Sequence, residues 1–194
     1  TPAAAWNLAA FPDREGLTLP TQVNFVGKAA NLYEHGYHLN GSAQVIVPYL
    51  RATWLWEKVR VQGGAYGGFC VFDQQSGALS FLSYRDPNLT QTLDIYDQTV
   101  QFLQSIQLDE AELTRAIIGA IGEVDAYQLP DAKGYTSMSR YLLSISDEER
   151  QARRDEILST TEANFHAFAQ AVEQVREHGA VVVIASPDAV QASK

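Results

Sequence analysis

The strongest constraint on this chain is an abrupt change of hydrophobic period at Gly63 and Gly64. Upstream, Val45, Ile46, Tyr49, Leu50, Trp54 and Val59 trace one apolar helix face, with Ser42 as the cap and Arg60 near the end. The two glycines stop that helix. Downstream, Tyr66 to Phe72 and Leu79 to Tyr84 are rich in aromatic and β-branched residues, and the DQQSG between them has turn chemistry. An antiparallel hairpin follows from that pattern.

The remaining segments extend the same alternation. Residues 1–20 mix Ala, Pro and Gly without a sustained period, so an irregular linker or lead-in is expected there. Residues 21–32 read as a strand, and EHGYHLNGS reads as a loop broken by Gly36 and Gly41. Helices are expected near residues 89–105, with Leu93, Tyr96, Val100 and Leu103 inward, and near 109–126, started by Asp109 with Glu112 at capping-box distance. Those two helices are expected to form an antiparallel pair. Pro130 interrupts the helical run, three more helices follow at 133–143, 147–158 and 161–177, and AVVVIAS at 180–186 reads as a buried strand. Such widely separated strands do not suit a doubly wound parallel sheet. The fold class expected is α+β, one mostly antiparallel sheet covered by helices, with residues 21–194 as a single domain.

Composition removes several functions. Apolar residues make up 46% and charged residues 19%, the balance of an ordinary globular chain. The net charge of -9 repels a phosphate backbone, and Arg150, Arg153 and Arg154 sit among five acidic neighbours, so nucleic acid is not expected as a partner. No apolar run reaches the ~20 residues that cross a bilayer, so no membrane role is expected. A single cysteine, Cys70, forms no internal disulfide and suits a soluble protein in a reducing compartment. The opening at Thr1, without Met, suggests an excised or processed segment.

Catalytic signatures are sparse. Glu34, His35 and His38 stand together, but their order is E-H-x-x-H, whereas zinc peptidase motifs need H-E-x-x-H or H-x-x-E-H on a helix. Flanking glycines make this group a solvated loop, so no metal ligand is assigned. His166 and His178 are isolated on a helix and at its end, and no G-x-S-x-G elbow is present. The segment VRVQGGAYGG lacks the Lys of a phosphate-binding loop. A helix stop followed by a strand start accounts for its glycines but leaves Arg60 and Tyr66 unexplained. An arginine closing a helix and a tyrosine opening a strand across a tight turn can share one patch. There the arginine offers a fork for substrate carbonyl or carboxylate groups, and the tyrosine hydroxyl can donate to a developing oxyanion.

At this segment the chain resembles the C-terminal part of the presequence proteases, a branch of the pitrilysin and insulin-degrading metallopeptidase family. The resemblance runs in one order through NFVGKAANLY, WLWEKVRVQGGAYGGFCVFD, SGALSFLSYRDPNL, IIGAIGEVD, YQLPDAKGY and DEERQARRDEIL. It implies the last of four related α+β domains in a clamshell enzyme that hydrolyses short unfolded peptides in a closed chamber. Zinc, held through H-x-x-E-H, would lie in the N-terminal half of the same polypeptide, where its bound water attacks the peptide carbonyl. Arg60 and Tyr66 match the arginine and tyrosine, six positions apart, that the last part of the family brings to substrate: Tyr66 as a catalytic and substrate-binding group, Arg60 as substrate-binding. The zinc motif is missing here, so the chain alone is expected to hydrolyse nothing. Organellar targeting peptides are the implied substrates of eukaryotic members, in mitochondrial matrix or plastid stroma, and peptide disposal is implied for the bacterial cytoplasm. The competing reading is a non-catalytic homologue serving as scaffold or peptide-binding subunit.

Overall fold

The computed structural model describes residues 12–193. Its centre is one sheet of five strands: β1 Arg14–Thr18, β2 Phe25–Asn31, β3 Gly67–Phe72, β4 Ala78–Tyr84 and β5 Ala180–Ala185. Their spatial order is β1-β5-β2-β4-β3, and every pair is antiparallel except β1 with β5. The class is α+β, with a mostly antiparallel sheet carrying helices. Residues 1–11 of the expected lead-in lie outside the described residues. The part from Arg14 to Thr18 is a correction, because it forms a parallel edge strand on β5. Its polar sequence, REGLT, is exposed throughout and has no period that would announce a strand.

One face of the sheet is covered. Val26, Lys28 and Ala30 of β2, Leu79, Phe81 and Ser83 of β4, Cys70 of β3, and Val183 and Ala185 of β5 are buried there. Over that face lie α2 (Thr90–Ser105) and α6 (Glu162–His178), packed along each other. The Phe81 ring stacks on Tyr96, with centroids 5.4 Å apart, and the Tyr96 hydroxyl donates to Val26 O at 3.2 Å. A Tyr in a core needs such a partner, because burying an unbonded hydroxyl costs free energy. The helix α1 (Ala43–Leu50) continues into a π-helix, Arg51–Gln62, which packs on β3. Trp54 stacks on Phe102 at 4.7 Å and donates its indole N–H to Thr99 Oγ1 at 2.9 Å, tying the π-helix to α2.

Two further expectations are corrected. The helices at 90–105 and 110–124 do not pair: α3 (Glu110–Val124) packs on α1 and on α5 (Asp147–Leu158), leaving α2 to α6. Both helices are amphipathic, but periodicity does not say which partner each face meets. The strand β5 is buried on one face only, for Val182 is 42% exposed on the other. Pro130 takes the first-turn position of α4 (Pro130–Leu142), where a missing N–H is harmless, and a short α7, Pro187–Ala192, follows β5. Of the two expected caps, Asp109 accepts from Glu112 N at 2.7 Å, whereas Ser42 precedes α1 in helical conformation and its side chain makes no capping bond; at the start of α5, Ser146 and Glu149 form a reciprocal capping box.

A buried cation sits in the covered face. The Lys28 ammonium lies 2.5 Å from Asp97 Oδ1 and donates to Arg176 O at 3.0 Å, joining β2, α2 and α6. Removing Asp97 leaves a desolvated ammonium, whereas replacing Lys28 with an apolar isostere leaves a carboxylate that is 38% exposed and stays solvated. Asp97→Ala should therefore lower stability by about 1–3 kcal/mol, while Lys28→Met should stay within about 1 kcal/mol of the parent, as read by urea unfolding. Equal losses for both variants would contradict this account.

Candidate functional site

The candidate site forms where the π-helix ends and β3 begins. Gly64 turns the chain with φ 79°, a left-handed conformation that side chains resist, and Gly63 sits so close to the helix that a Cβ would lie 2.6 Å from Val59 O. The turn is anchored from outside, as Asn88 Nδ2 donates to Gly63 O at 2.6 Å. Beyond it, Ala65 is buried and Tyr66 N donates to Tyr84 O at 3.1 Å and to Arg85 O at 3.3 Å. Gly68 then allows close approach, because a Cβ there would stand 3.0 Å from Val59 Cβ. The sequence thus folds back on itself across six residues from Arg60 to Tyr66.

Arg60 and Tyr66 meet on the same exposed rim. The Arg60 guanidinium lies 4.1 Å from the centroid of Trp56, one turn earlier, and 5.8 Å from that of Tyr66. Such rings orient a guanidinium electrostatically without occupying its donor edge. Tyr66 is 65% exposed, and its hydroxyl makes no hydrogen bond within the described residues. Its ring meets Tyr84 edge to face at 5.8 Å, Tyr84 meets Phe25 at 5.4 Å, and the Arg85 guanidinium lies 5.5 Å from Tyr84. Neither Arg60 nor Arg85 forms an ion pair with a carboxylate among the described residues. The result is a row of aromatics with Arg60 between Trp56 and Tyr66 and Arg85 beside Tyr84.

Trp56, Tyr84 and Arg85 escaped the sequence reading. Trp56 had a usable signal in its four-residue spacing before Arg60; Tyr84 and Arg85 join only through strand register. Arg85 stands at φ 49°, uncommon for a residue with a side chain. The next residue holds it: Asp86 is fully buried, accepts from Thr92 Oγ1 at 2.7 Å and Asn88 N at 2.9 Å, and exchanges backbone bonds with Asn24.

The other candidates separate. His35 stacks on His178, with centroids 4.5 Å apart and planes 10° from parallel, and Glu34 Oε1 accepts from Asn31. Stacked rings of this kind do not converge their nitrogens on a metal, and no group of three or more His, Cys, Asp or Glu side chains among the described residues is placed to hold one. The described residues therefore offer no set of ligands for a zinc ion. His166 Nε2 is bonded to Ile106 O at 3.0 Å. Burial pushes the Cys70 thiol well above its usual range, which disarms it as a nucleophile. No helix among the described residues is long and apolar enough to cross a membrane.

Solved structures share this architecture. A protease from Helicobacter pylori superposes with TM-score 0.65 at 13% identity over 88% of this chain and 43% of its own. The inactive domain of an M16 peptidase from Pseudomonas fluorescens gives 0.61 at 15% identity, covering 89% of this chain and 43% of that one. Pitrilysin gives 0.56 at 12% identity, over 88% of this chain and 19% of pitrilysin. The fold is that of an M16 peptidase domain.

Within that class the chain belongs to the PreP C-terminal domain family, whose model matches residues 14–187. It is 58% identical to presequence protease 1, chloroplastic/mitochondrial, of Arabidopsis thaliana over 179 residues, which are 92% of this chain and 17% of that protein. Protein HypA of Clostridium perfringens is 32% identical over 189 residues, 97% of this chain and 19% of its own length. The mitochondrial presequence protease of Danio rerio is 33% identical over 146 residues, 75% of this chain and 14% of that one. The chain thus spans less than a fifth of these relatives.

Burial gives Cys70 a direct check. Iodoacetamide at about pH 8 should leave the native chain unmodified while fully alkylating the urea-unfolded chain, as followed by mass spectrometry. Equal rates in the two states would place the thiol at the surface.

Proposed function

We propose that this chain is the substrate-side domain of a zinc peptidase acting on short unfolded peptides, and that Arg60 and Tyr66 bind the peptide at the scissile bond. One observation carries the reading: a guanidinium aligned by two rings stands beside a tyrosine whose hydroxyl is free of internal bonds, both on one exposed rim. Donors left unbonded and held in place are what a developing oxyanion needs, since they stabilise the transition state without rearranging first. The Tyr66 hydroxyl would donate to the peptide carbonyl oxygen as negative charge grows. Arg60 would hold a neighbouring carbonyl or carboxylate through its fork and keep the Tyr66 ring in register.

Zinc and the attacking water belong to the N-terminal half of the polypeptide in this reading, since the described residues offer no set of ligands for a metal. The partner is therefore that half, closing over the rim to form a chamber. Substrates of the presequence type follow from the names of the relatives; peptide disposal fits a bacterial member equally well.

Two measurements test the assignment. The 194-residue chain, given zinc and a fluorogenic peptide, should show no turnover above buffer. In the full-length protein, Tyr66→Phe should reduce kcat by about 10²-fold with zinc content and KM little changed, because only a transition-state contact is lost. Undiminished turnover would remove Tyr66 from the site and favour the scaffold reading.

A further inference from the structure

Arg85 is fixed in a conformation that does not suit it. It follows β4 directly with φ 49°, where glycine and asparagine sit far more readily than arginine. The backbone around it is clamped. Its carbonyl accepts from Tyr66 N at 3.3 Å, so the main chains of these two rim residues are bonded to each other. The next residue, Asp86, donates to Asn24 O at 2.8 Å and accepts from Asn24 N at 2.7 Å and Asn24 Nδ2 at 3.0 Å. Asp86 and Asn24 are both buried, and a residue forced into an unfavourable φ by such surroundings points to a use for its side chain.

The guanidinium has no task inside the fold. Arg85 is exposed, and among the described residues it donates to no acceptor and pairs with no carboxylate. The adjacent carboxylate, that of Asp86, is engaged with Thr92 Oγ1 and Asn88 N instead. What Arg85 meets is the Tyr84 ring at 5.5 Å, which steadies the guanidinium and leaves its donor edge open. On a chain of net charge -9, Arg60 and Arg85 together make the rim a locally positive spot, which draws an anionic group rather than a cationic one.

Its distance from Arg60 suits a single ligand. Tyr84 lies 5.8 Å from Tyr66, and Tyr66 lies 5.8 Å from the Arg60 guanidinium. A peptide advances about 3.3 Å per residue when extended, so one held at Arg60 and Tyr66 reaches Arg85 within about five residues.

We propose that Arg85 is a second anchor of the rim, one that holds a carboxylate of the bound peptide and so sets a charge preference a few residues from the scissile bond. The carboxylate is an acidic side chain or the free C-terminus. The proposal rests on the reading of Arg60 and Tyr66 as the groups at that bond and adds which peptides they receive best. A carboxylate matches the arginine fork, because its two oxygens accept two parallel N–H bonds. The clamped backbone and the Tyr84 ring leave little of this arginine to be ordered when the peptide arrives.

Equilibrium binding to the full-length protein, kept in a chelator so that no peptide is cut, tests the proposal. The probes are short peptides of alanine, serine and leucine that carry an uncharged dye. One form is amidated and has no carboxylate, a second ends in a free carboxylate, and a third is amidated with one aspartate placed at each position in turn. At low salt the free terminus, or aspartate within one stretch of the peptide, should lower Kd by about fivefold or more against the uncharged form. Arg85→Asn suits the positive φ, should keep or raise the urea midpoint, and should cancel that advantage; Arg85→Gly should do the same. A gain from the free terminus assigns the C-terminal carboxylate and a gain from aspartate assigns a side chain, and either supports the anchor. Four outcomes overturn it: no binding by any form, equal Kd for charged and uncharged forms, an advantage that survives Arg85→Asn, or a loss by the same factor for every form in that variant. Undiminished turnover in Tyr66→Phe alongside an Arg85-dependent gain would keep the anchor and remove only the scissile bond from the rim. Lost turnover in Tyr66→Phe without that gain would keep the rim and remove the anchor.

Discussion

The seating of the π-helix on the first residues of β3 governs the geometry of the rim. A Cβ on Gly68 would press against Val59, one on Gly63 would strike the Val59 carbonyl, and a single left-handed glycine closes the turn between them. A side chain at Gly68 would push the helix from the strand, and Arg60 would move with it. Six residues of chain suffice to bring a helix end and a strand start together only because the backbones approach this closely.

The rim is held from behind as well. Asp86 is buried with its hydrogen bonds made, Asn88 reaches back to the Gly63 carbonyl, and Asn24 closes the end of β4 onto the approach to β2. These bonds tie the turn and the strand end to the packed side of the sheet. On the open side, aromatics and guanidinium groups stand in a row without acidic partners among the described residues. Rigid support behind and unbonded donors in front are what a preorganised binding rim requires.

Much of this was legible in the residues. The helix before Gly63, the hairpin after it, and the caps at Asp109 and Ser146 follow from local patterns whose physics is local. Arg60 and Tyr66 stood out because the glycines explained everything near them except these two. Other features were not legible. β1 is a strand because β5 offers it an edge, not because REGLT prefers one. α2 and α3 look like partners in the chain, yet the sheet gives α2 a better face beside α6.

The sequence by itself determined the long helices and the hairpin, the cap at Asp109, the sharp turn at Gly63 and Gly64, and the absence of a zinc motif, because each depends on residues within a few positions of one another. Only the tertiary structure decided that Tyr84 and Arg85 join Arg60 and Tyr66, that one sheet face stays open, and that the apolar edge of β3 has no partner among the described residues. Strand order is set by a balance of burial and backbone pairing over the whole domain, and no local window contains it.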